Sequence, residues 1–215
     1  MEIYGHEGTG KTNLVYHIAM EHQQRGGEVY YFDTEGKLPY EYADRLKYYE
    51  YVDDLKTLTE RIKALAEEGP TENALLVVDS IGWPLYVAFR ELREQRKEFA
   101  YTAWQELLPP SRWAVRFARG IPGEKKGEWI KQNRNLTVMT DQPVWIGREE
   151  ELGPLLKPFG GKLIFLPMLV LFSEPVEKKP GEFSLKTYKS INIPKGTEVA
   201  RFKVTDSGVE IQWMV

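Results

Sequence analysis

The sequence contains no cysteine, which excludes disulfide bonds, thiolate metal sites and a cysteine nucleophile. It also has no hydrophobic run of membrane-spanning length, because its most apolar stretch, Leu163 to Phe172, is far shorter than the roughly 20 residues that a bilayer requires. The net charge of −3 provides no overall positive field that would attract nucleic acid. No signal peptide precedes the first predicted strand, so we expect a cytoplasmic protein with no membrane association.

The chain is long enough, and apolar enough, to bury a substantial core. It has 215 residues, of which 42% are hydrophobic, and this fits one α/β domain. We therefore expect a single domain over residues 1–215.

Residues 5 to 12 read Gly-His-Glu-Gly-Thr-Gly-Lys-Thr and match the phosphate-loop pattern GxxxxGK[ST]. A short apolar segment, residues 2–4, precedes them, and residues 13–20 have apolar side chains at helical spacing. A strand, a glycine loop and a helix are the setting that this motif requires, which argues against a mere glycine turn.

The chemistry of a bound nucleoside triphosphate explains the residues of this loop. Its glycines let successive backbone N–H groups point at phosphate oxygens, and the following helix adds the positive end of its dipole. Lys11 supplies a charge to the β- and γ-phosphates, and the Thr12 hydroxyl is suited to ligate Mg²⁺. The predicted nucleotide-binding residues of the loop are Gly5, His6, Glu7, Gly8, Thr9, Gly10, Lys11, Thr12 and Asn13.

The rest of the chain predicts strands that alternate with helices, and hence a mostly parallel sheet. We expect strands at 28–33, 73–79, 136–140 and 162–172, helices at 40–50, 55–68 and over most of 86–119 with a break at Pro109-Pro110, and a loop at 120–135. The alternating patterns of 184–189 and 198–214 predict antiparallel strands at the end.

Two carboxylates and one amide follow predicted strands, where α/β sheets bind ligands. Asp79 closes a buried strand and is the candidate second Mg²⁺ ligand, although a helix cap is the alternative. Glu35 follows strand 28–33 and is the candidate base for the attacking water, whereas Asp33 is interpreted as forming the turn. Gln142 follows strand 136–140 and is a candidate γ-phosphate sensor or an ordinary surface glutamine.

Several motifs, in their order and spacing, resemble the RecA/RadA recombinase superfamily. They are Tyr31-Phe-Asp-Thr-Glu-Gly36, Val77-Val-Asp-Ser-Ile81, Thr140-Asp-Gln142, Pro158-Phe-Gly-Gly161 and a closing Ala200–Glu210 that is similar to archaeal RadA and RadB. The resemblance implies a RecA-like ATPase core that uses ATP and Mg²⁺, with Glu35 as the catalytic glutamate and Asp79 as a metal ligand. It also implies that an aromatic or arginine side chain stacks on adenine, for which Tyr42 is favoured over Arg45.

The chain departs from this family at three places. It has Asp141-Gln142 where the family usually has Asn-Gln. It begins just before the phosphate loop, so we expect no preceding segment for filament assembly. Residues 101–120 have no counterpart in RadA and are more similar to small RecA-like ATPases of phages and archaeal mobile elements. We therefore expect a compact, RadB-like paralogue, for which a homo-oligomer is compatible with the resemblance.

The nucleic-acid surface predicted here is local, because residues 112–134 contain seven basic and two acidic side chains. The candidate DNA-binding residues are Arg112, Arg116, Arg119, Lys125 and Lys126. Trp129 and Trp145 are candidates for stacking on unpaired bases, with ordinary packing as the alternative. Basic residues between 90 and 97 alternate with acidic ones and are equally typical of a solvated helix, and the acidic residues 149–151 disfavour tight DNA binding in the second family loop.

Three functions remain open at this point. The first is a Mg²⁺-dependent ATPase that acts in DNA recombination or repair, with single-stranded DNA or a recombinase or other repair protein as its partner. The second is a nucleotide-gated adaptor that hydrolyses little ATP. The third is a KaiC-like signalling ATPase that does not bind DNA.

Overall fold

The computed structural model describes residues 1–70, 72–96, 107–125, 127–145, 156–158 and 169–214. In chain order its elements are β1 (Glu2–Tyr4), α1 (Lys11–Gln24), β2 (Glu28–Asp33), α2 (Tyr40–Ala43), β3 (Tyr49–Tyr51), α3 (Leu55–Glu68), β4 (Glu72–Asp79), α4 (Gly82–Arg96), α5 (Pro109–Arg119), β5 (Gly120–Pro122), β6 (Trp129–Gln132), β7 (Arg134–Asp141), β8 (Pro143–Trp145), β9 (Leu156–Pro158), β10 (Val170–Pro175), β11 (Glu182–Lys189), β12 (Glu198–Thr205) and β13 (Gly208–Trp213). No helix in these ranges is long and apolar enough to cross a membrane.

The chain divides into two compact units. One consists of Met1–Ile18 and Met139–Val215, and the other of Ala19–Val138. Helix α1 and strand β7 each contribute residues to both units.

The first unit contains the strands in the order β13-β12-β11-β10-β1-β7. β1 is parallel to both of its neighbours, since Ile3 is paired with Leu171 of β10 and with Thr140 of β7. The strands from β10 to β13 are joined in an antiparallel manner, as their alternating sequence predicted. Aromatic residues pack on one face of this part, where the rings of Phe183 and Phe202 lie 5.1 Å apart.

The second unit contains the strands in the order β7-β4-β2-β3. β2 runs parallel to both β4 and β3. β4 is buried without interruption from Ala74 to Asp79, which is why its sequence is a continuous apolar run instead of an alternating one. The prediction of an α/β fold with a mostly parallel sheet and antiparallel C-terminal strands is confirmed.

Helix α3 has the bounds that its sequence predicts. The Asp54 side chain accepts a hydrogen bond of 2.8 Å from the Thr57 backbone N–H, which caps the N-terminus. Leu58, Ile62 and Ala66 form the buried stripe of this helix, which packs against α5. At its C-terminus the Lys131 ammonium donates to the carbonyl oxygens of Ala66 and Glu67 at 3.2 and 2.9 Å.

The predicted helix over 40–50 is wrong beyond its first turn. The helix ends at Ala43, and Tyr49–Tyr51 form strand β3, in which Tyr49 pairs with Tyr31 of β2. The tyrosines of this segment favour a strand, and the open edge of β2 provides the pairing that a single sequence cannot reveal.

The predicted loop over 120–135 is also wrong, because β5 and β6 form an antiparallel hairpin there. Gly120 has φ +100°, and an added Cβ would lie 1.9 Å from the Lys131 carbonyl oxygen, so that only glycine permits this close approach. Pro109 and Pro110 begin helix α5, so a helix starts at the predicted break, since first-turn residues need no N–H partner. The remaining parts of the predicted helix and strand, 97–106 and 162–168, lie outside the described residues.

Asn135 connects three segments of the second unit. It is 7% exposed, and its Nδ2 donates to the carbonyl oxygens of Pro70 and Phe117 at 2.7 and 3.0 Å. Its Oδ1 accepts a hydrogen bond of 3.2 Å from the Ala74 N–H at the start of β4. These contacts hold the end of α5 and the residues after α3 against the strand.

Replacement of Asn135 by alanine is expected to lower the free energy of unfolding by about 3 kcal/mol, because three buried backbone groups lose their partner. Urea denaturation followed by circular dichroism measures this change. Asn192→Ala, at an exposed position, is the control and should change stability by less than about 0.5 kcal/mol. Equal effects of the two substitutions would contradict the role of Asn135.

Glu2 is a buried carboxyl group of the first unit and is 3% exposed. Burial raises its pKa to about 7, an effect that the N-terminal ammonium and Lys189 oppose. A raised pKa favours the protonated side chain in the folded state. The stability that this proton contributes is therefore complete below pH 4.5, the ordinary value, and is lost as the pH rises through 7.

Glu2→Gln should therefore gain stability relative to the wild type as the pH rises from 5 to 8, by up to about 3 kcal/mol. Urea denaturation of both proteins across this pH range measures the difference. Glu210→Gln, at an exposed position, is the matched control for the loss of one carboxyl group. A difference for Glu2→Gln that is independent of pH would refute the assignment.

Candidate nucleotide-binding site

The phosphate-loop motif occupies the connection between β1 and α1 in the first unit. An added Cβ at Gly5 would lie 2.4 Å from the Ser173 carbonyl oxygen, and one at Gly10, whose φ is +72°, would lie 2.8 Å from the Phe202 ring. Both positions therefore require glycine for packing reasons. Helix α1 begins directly after the loop, and the Leu14 N–H donates to the Gly10 carbonyl at 2.9 Å.

Of the remaining predicted nucleotide-binding residues of the loop, Thr9 is buried and the others are at least partly accessible. His6, Glu7 and Gly8 are exposed, and Lys11, Thr12 and Asn13 are half-buried in the first turn of α1. The Lys11 ammonium donates to the carbonyl oxygens of Gly5 and His6 at 2.8 Å each, and therefore lies across the start of the loop. A cation and the N–H groups of a helix N-terminus face the same loop, which is an arrangement suited to phosphate.

Two hydroxyl groups hold the backbone of the loop in place. Thr9 Oγ1 donates to the His6 carbonyl at 2.8 Å, and Ser173 Oγ of β10 donates to the Thr9 carbonyl at 2.9 Å. The Gly5 N–H donates to the carbonyl of Asp141 in β7 at 3.3 Å. No local pattern predicts the role of Ser173, because its contact joins residues that are far apart in the chain.

Gln142 directly follows β7 in the first unit and is half-buried. Its backbone N–H donates to the side chain of the preceding Asp141 at 2.8 Å. Asp141 stands where the family usually has asparagine, and here it is fully buried. The amide of Gln142 thus lies at the end of a strand that pairs with β1.

In the second unit, the carboxyl ends of β2 and β4 are aligned, with Asp33 paired with Asp79. Thr34 connects the two ends. Its Oγ1 donates to the Ser80 carbonyl at 2.5 Å and accepts from the Ser80 N–H at 3.0 Å, and its own N–H donates to the Asp79 carbonyl at 2.8 Å. The peptide bond between Asp79 and Ser80 is cis.

Asp79 is 7% exposed and accepts a hydrogen bond of 3.0 Å from the Tyr31 hydroxyl. Burial, and secondarily the Asp79 carboxylate, raise the pKa of Tyr31 well above its ordinary value. Tyr31 therefore stays protonated and remains a donor throughout the ordinary pH range. This donor is neutral, so it adds no positive charge beside the Asp79 carboxylate.

Asp33 has the structural role that was predicted for it. One of its carboxylate oxygens accepts from the N–H groups of Glu35 and Gly36 at 3.0 and 2.8 Å, and the other from the Leu38 N–H at 3.1 Å. The Tyr49 hydroxyl also donates to this side chain, and burial together with the Asp33 charge raises the pKa of Tyr49 to about 12. Asp33 is thus fully used in holding the turn.

Glu35 projects from this turn with 13% of its side chain exposed. Its Oε1 accepts a hydrogen bond of 2.6 Å from the Ser80 hydroxyl, and its Oε2 forms a 2.6 Å ion pair with the Lys37 ammonium. The sequence analysis did not identify either partner. The Asp-Ser pair after β4 and a lysine two residues after Glu35 were the available signals.

Tyr42, the candidate for stacking on adenine, lies in the short helix α2 and is half-buried. The Arg45 guanidinium lies 5.8 Å from the centre of its ring. The two candidates for this role therefore contact each other, so that either side chain could meet a flat base at this place.

Each unit offers an oxygen ligand that suits Mg²⁺. Thr12 supplies a hydroxyl in the first turn of α1, and Asp79 supplies a buried carboxylate. Within the described ranges no group of three or more metal-ligating side chains could hold an ion by itself.

The predicted DNA-binding residues belong to the second unit. Arg112 and Arg119 are exposed on α5, and Lys125 is exposed in the hairpin, whereas Lys126 lies outside the described residues. Arg116 is half-buried, with its guanidinium 4.5 Å from the centre of the Trp113 ring. This stacking explains Arg116 structurally and leaves Arg112 and Arg119 as the accessible pair.

The other aromatic and basic candidates also include both an exposed side chain and one that is paired within the protein. Trp129 is 44% exposed, and so remains available for stacking. The side chain of Trp145 lies outside the described residues. Arg90 forms an i, i+4 ion pair with Glu94, which fits the solvated-helix interpretation of α4. The sequence analysis missed an exposed aromatic pair at the start of α4, Trp83 and Tyr86, whose ring centres lie 6.3 Å apart.

Comparison with known proteins supports the resemblance seen in the motifs. A family model described as an AAA domain matches residues 1–151. Protein RecA of Clostridium beijerinckii is 50% identical over 46 residues, which are 21% of this chain and 13% of that protein. Protein RecA of Campylobacter jejuni is 36% identical over 87 residues, which are 38% of this chain and 25% of that protein. The matches thus span between 13% and 25% of these relatives' length.

Among solved structures, the crystal structure of the RadB recombinase aligns with a TM-score of 0.65. The alignment covers 97% of this chain and 88% of that one at 21% sequence identity, which shows a shared fold. The family match covers most of the chain, and the predicted resemblance is confirmed. The chain belongs to the AAA domain family, within the superfamily of RecA/RadB-like P-loop ATPases.

Proposed function

We propose that this protein is a Mg²⁺-dependent ATPase that acts in DNA recombination or repair, with single-stranded DNA or a recombinase as its partner. The observation that carries the proposal is the conformation of residues 5–12, in which Lys11 lies across a glycine loop that leads directly into α1. The RecA/RadB-like fold and the RecA relatives support the setting in recombination. We propose in addition a single functional domain over residues 1–215 and a cytoplasmic location.

The roles of the site residues follow from their chemistry. Lys11 and the backbone of Gly5 to Asn13 bind the phosphates, and Thr12 and Asp79 would hold Mg²⁺, which neutralises phosphate charge when it is bound. Glu35 accepts a proton from the attacking water, and Gln142 responds to the γ-phosphate. Tyr42 stacks on the adenine.

One observation favours the second function, a nucleotide-gated adaptor with little hydrolysis. Both oxygens of Glu35 already have donors, Ser80 and Lys37, which compete with an attacking water for the carboxylate. A protein with this arrangement could bind ATP tightly and turn it over slowly. The rate of the wild type separates the two functions.

Lys11→Ala should abolish ATP binding, because it removes the charge that faces the phosphates. Glu35→Gln should preserve binding and lower turnover by roughly 10²–10⁴-fold, the usual contribution of a general base. Steady-state phosphate release and the fluorescence of a labelled ATP analogue measure the two quantities. Glu60→Gln, at an exposed position on α3, is the control for the loss of a carboxylate.

ATP turnover that persists in Lys11→Ala would contradict the assignment of the loop as the phosphate-binding site. If the wild type binds ATP through Lys11 but shows no turnover, the adaptor function is the correct one.

A double Arg112→Ala, Arg119→Ala variant should bind single-stranded DNA more weakly than the wild type. Loss of two phosphate contacts should make the slope of log affinity against log salt concentration less negative by about 1.4. Fluorescence anisotropy with a labelled oligonucleotide at several salt concentrations measures both effects. Arg25→Ala, at an exposed arginine of the same unit, is the control. An unchanged salt slope in the double variant would remove α5 from the DNA-binding surface.

A further inference from the structure

Lys37 forms the ion pair with Glu35 within a single turn. Asp33 accepts hydrogen bonds from the N–H groups of Glu35, Gly36 and Leu38, which fixes the backbone on both sides of Lys37. Gly36 adopts φ +65°, a left-handed conformation that lets the turn close. The contact between Glu35 and Lys37 is thus built by the local backbone.

The two donors to Glu35 differ in charge and in exposure. Ser80 is 2% exposed and neutral, whereas the Lys37 side chain is 50% exposed and cationic. A neighbouring cation stabilises a carboxylate and lowers its affinity for a proton, which is the opposite of what a general base requires. An ion pair with a half-exposed partner is also weak, because solvent screens it, and it can open at little cost.

We propose that Lys37 is a positioning residue that restrains Glu35 and lowers its proton affinity until the ion pair opens, which keeps the basal rate of ATP hydrolysis low. This inference rests on the proposed function. In that reaction the attacking water gives one proton to Glu35, its oxygen bonds to the γ-phosphorus, and the bond from that phosphorus to the bridging oxygen of ADP breaks. While Lys37 occupies Oε2, the carboxylate is a weaker acceptor for that proton.

Among the described residues, the other charged and titratable groups of this turn and of the strand ends beside it include Asp33 and Asp79, at the ends of β2 and β4, and three tyrosines, Tyr31, Tyr49 and Tyr51. Burial raises the pKa of Tyr31 and Tyr49, and it also raises that of Tyr51, so that these hydroxyl groups remain neutral. Substitution of Lys37 alters none of these side chains. A change in the titration of Glu35 would therefore report the loss of the cation.

The test compares Lys37→Met, Lys37→Arg and the wild type by two measurements. The first is the pH dependence of kcat for ATP hydrolysis. The second is a carbon-13 NMR titration of the side-chain carboxyl groups, with the Glu35 signal assigned from its absence in Glu35→Gln. Lys47→Met, at an exposed position of the same unit, controls for the loss of one positive charge.

In Lys37→Met we expect the acidic limb of the pH profile and the midpoint of the Glu35 titration to move up by about one pH unit. We also expect kcat at pH 8 to rise about threefold, since a stronger base accepts the proton more readily. Lys37→Arg should restore both values towards the wild type, which a merely structural role would not predict. Lys47→Met should leave the midpoint in place.

An unchanged Glu35 midpoint in Lys37→Met overturns the inference, whatever the rate does. A wild type without Lys11-dependent turnover would instead overturn the proposed hydrolysis. The NMR titration would still decide whether Lys37 lowers the proton affinity of Glu35. The two failures are therefore distinguishable.

Discussion

The hydrogen bonds between Thr34 and the backbone after β4 are the contact on which the chemistry of the second unit depends. Thr34 binds both the N–H and the carbonyl of Ser80, so the ends of two parallel strands cannot slide past each other. This alignment brings Ser80 to Glu35 and holds Asp33 in register with Asp79. A threonine between two acidic residues carries no special signal in the sequence, but here its hydroxyl fixes the relation between three acidic side chains.

In the first unit, hydrogen bonds and packing from neighbouring strands hold the phosphate loop in a similar way. A glycine loop gains no stability from side-chain packing of its own, so the neighbouring strands must define its shape. β7 accepts a hydrogen bond from Gly5, β10 donates one to Thr9 through Ser173, and the aromatic rings of β11 and β12 pack against Gly10. The antiparallel strands at the C-terminal end of the chain therefore contribute to the loop at its beginning.

The sequence predicted the elements whose signals are local. Helix α3 has an N-cap and a buried stripe within its own residues, and β4 is a continuous apolar run. Strand β3 and the β5–β6 hairpin were missed, since the first depends on pairing with β2 and the second on a close approach between Gly120 and Lys131. For the site, motifs led to the prediction of the loop, Glu35 and Asp79, whereas the contacts of Ser173, Tyr31 and Lys37 depend on tertiary structure.

The surroundings of the two carboxylates bear on the roles proposed for them. Asp79 is buried and accepts a hydrogen bond from a tyrosine that burial keeps neutral, so this contact adds no positive charge beside it. Glu35 is more accessible and already has a cation of its own, which an approaching metal ion would have to displace. A carboxylate that accepts and releases protons needs a partner that can leave, and a half-exposed lysine meets this requirement better than a buried one. The proposed division of roles thus rests on the described donors of each carboxylate, and not on the carboxylates themselves.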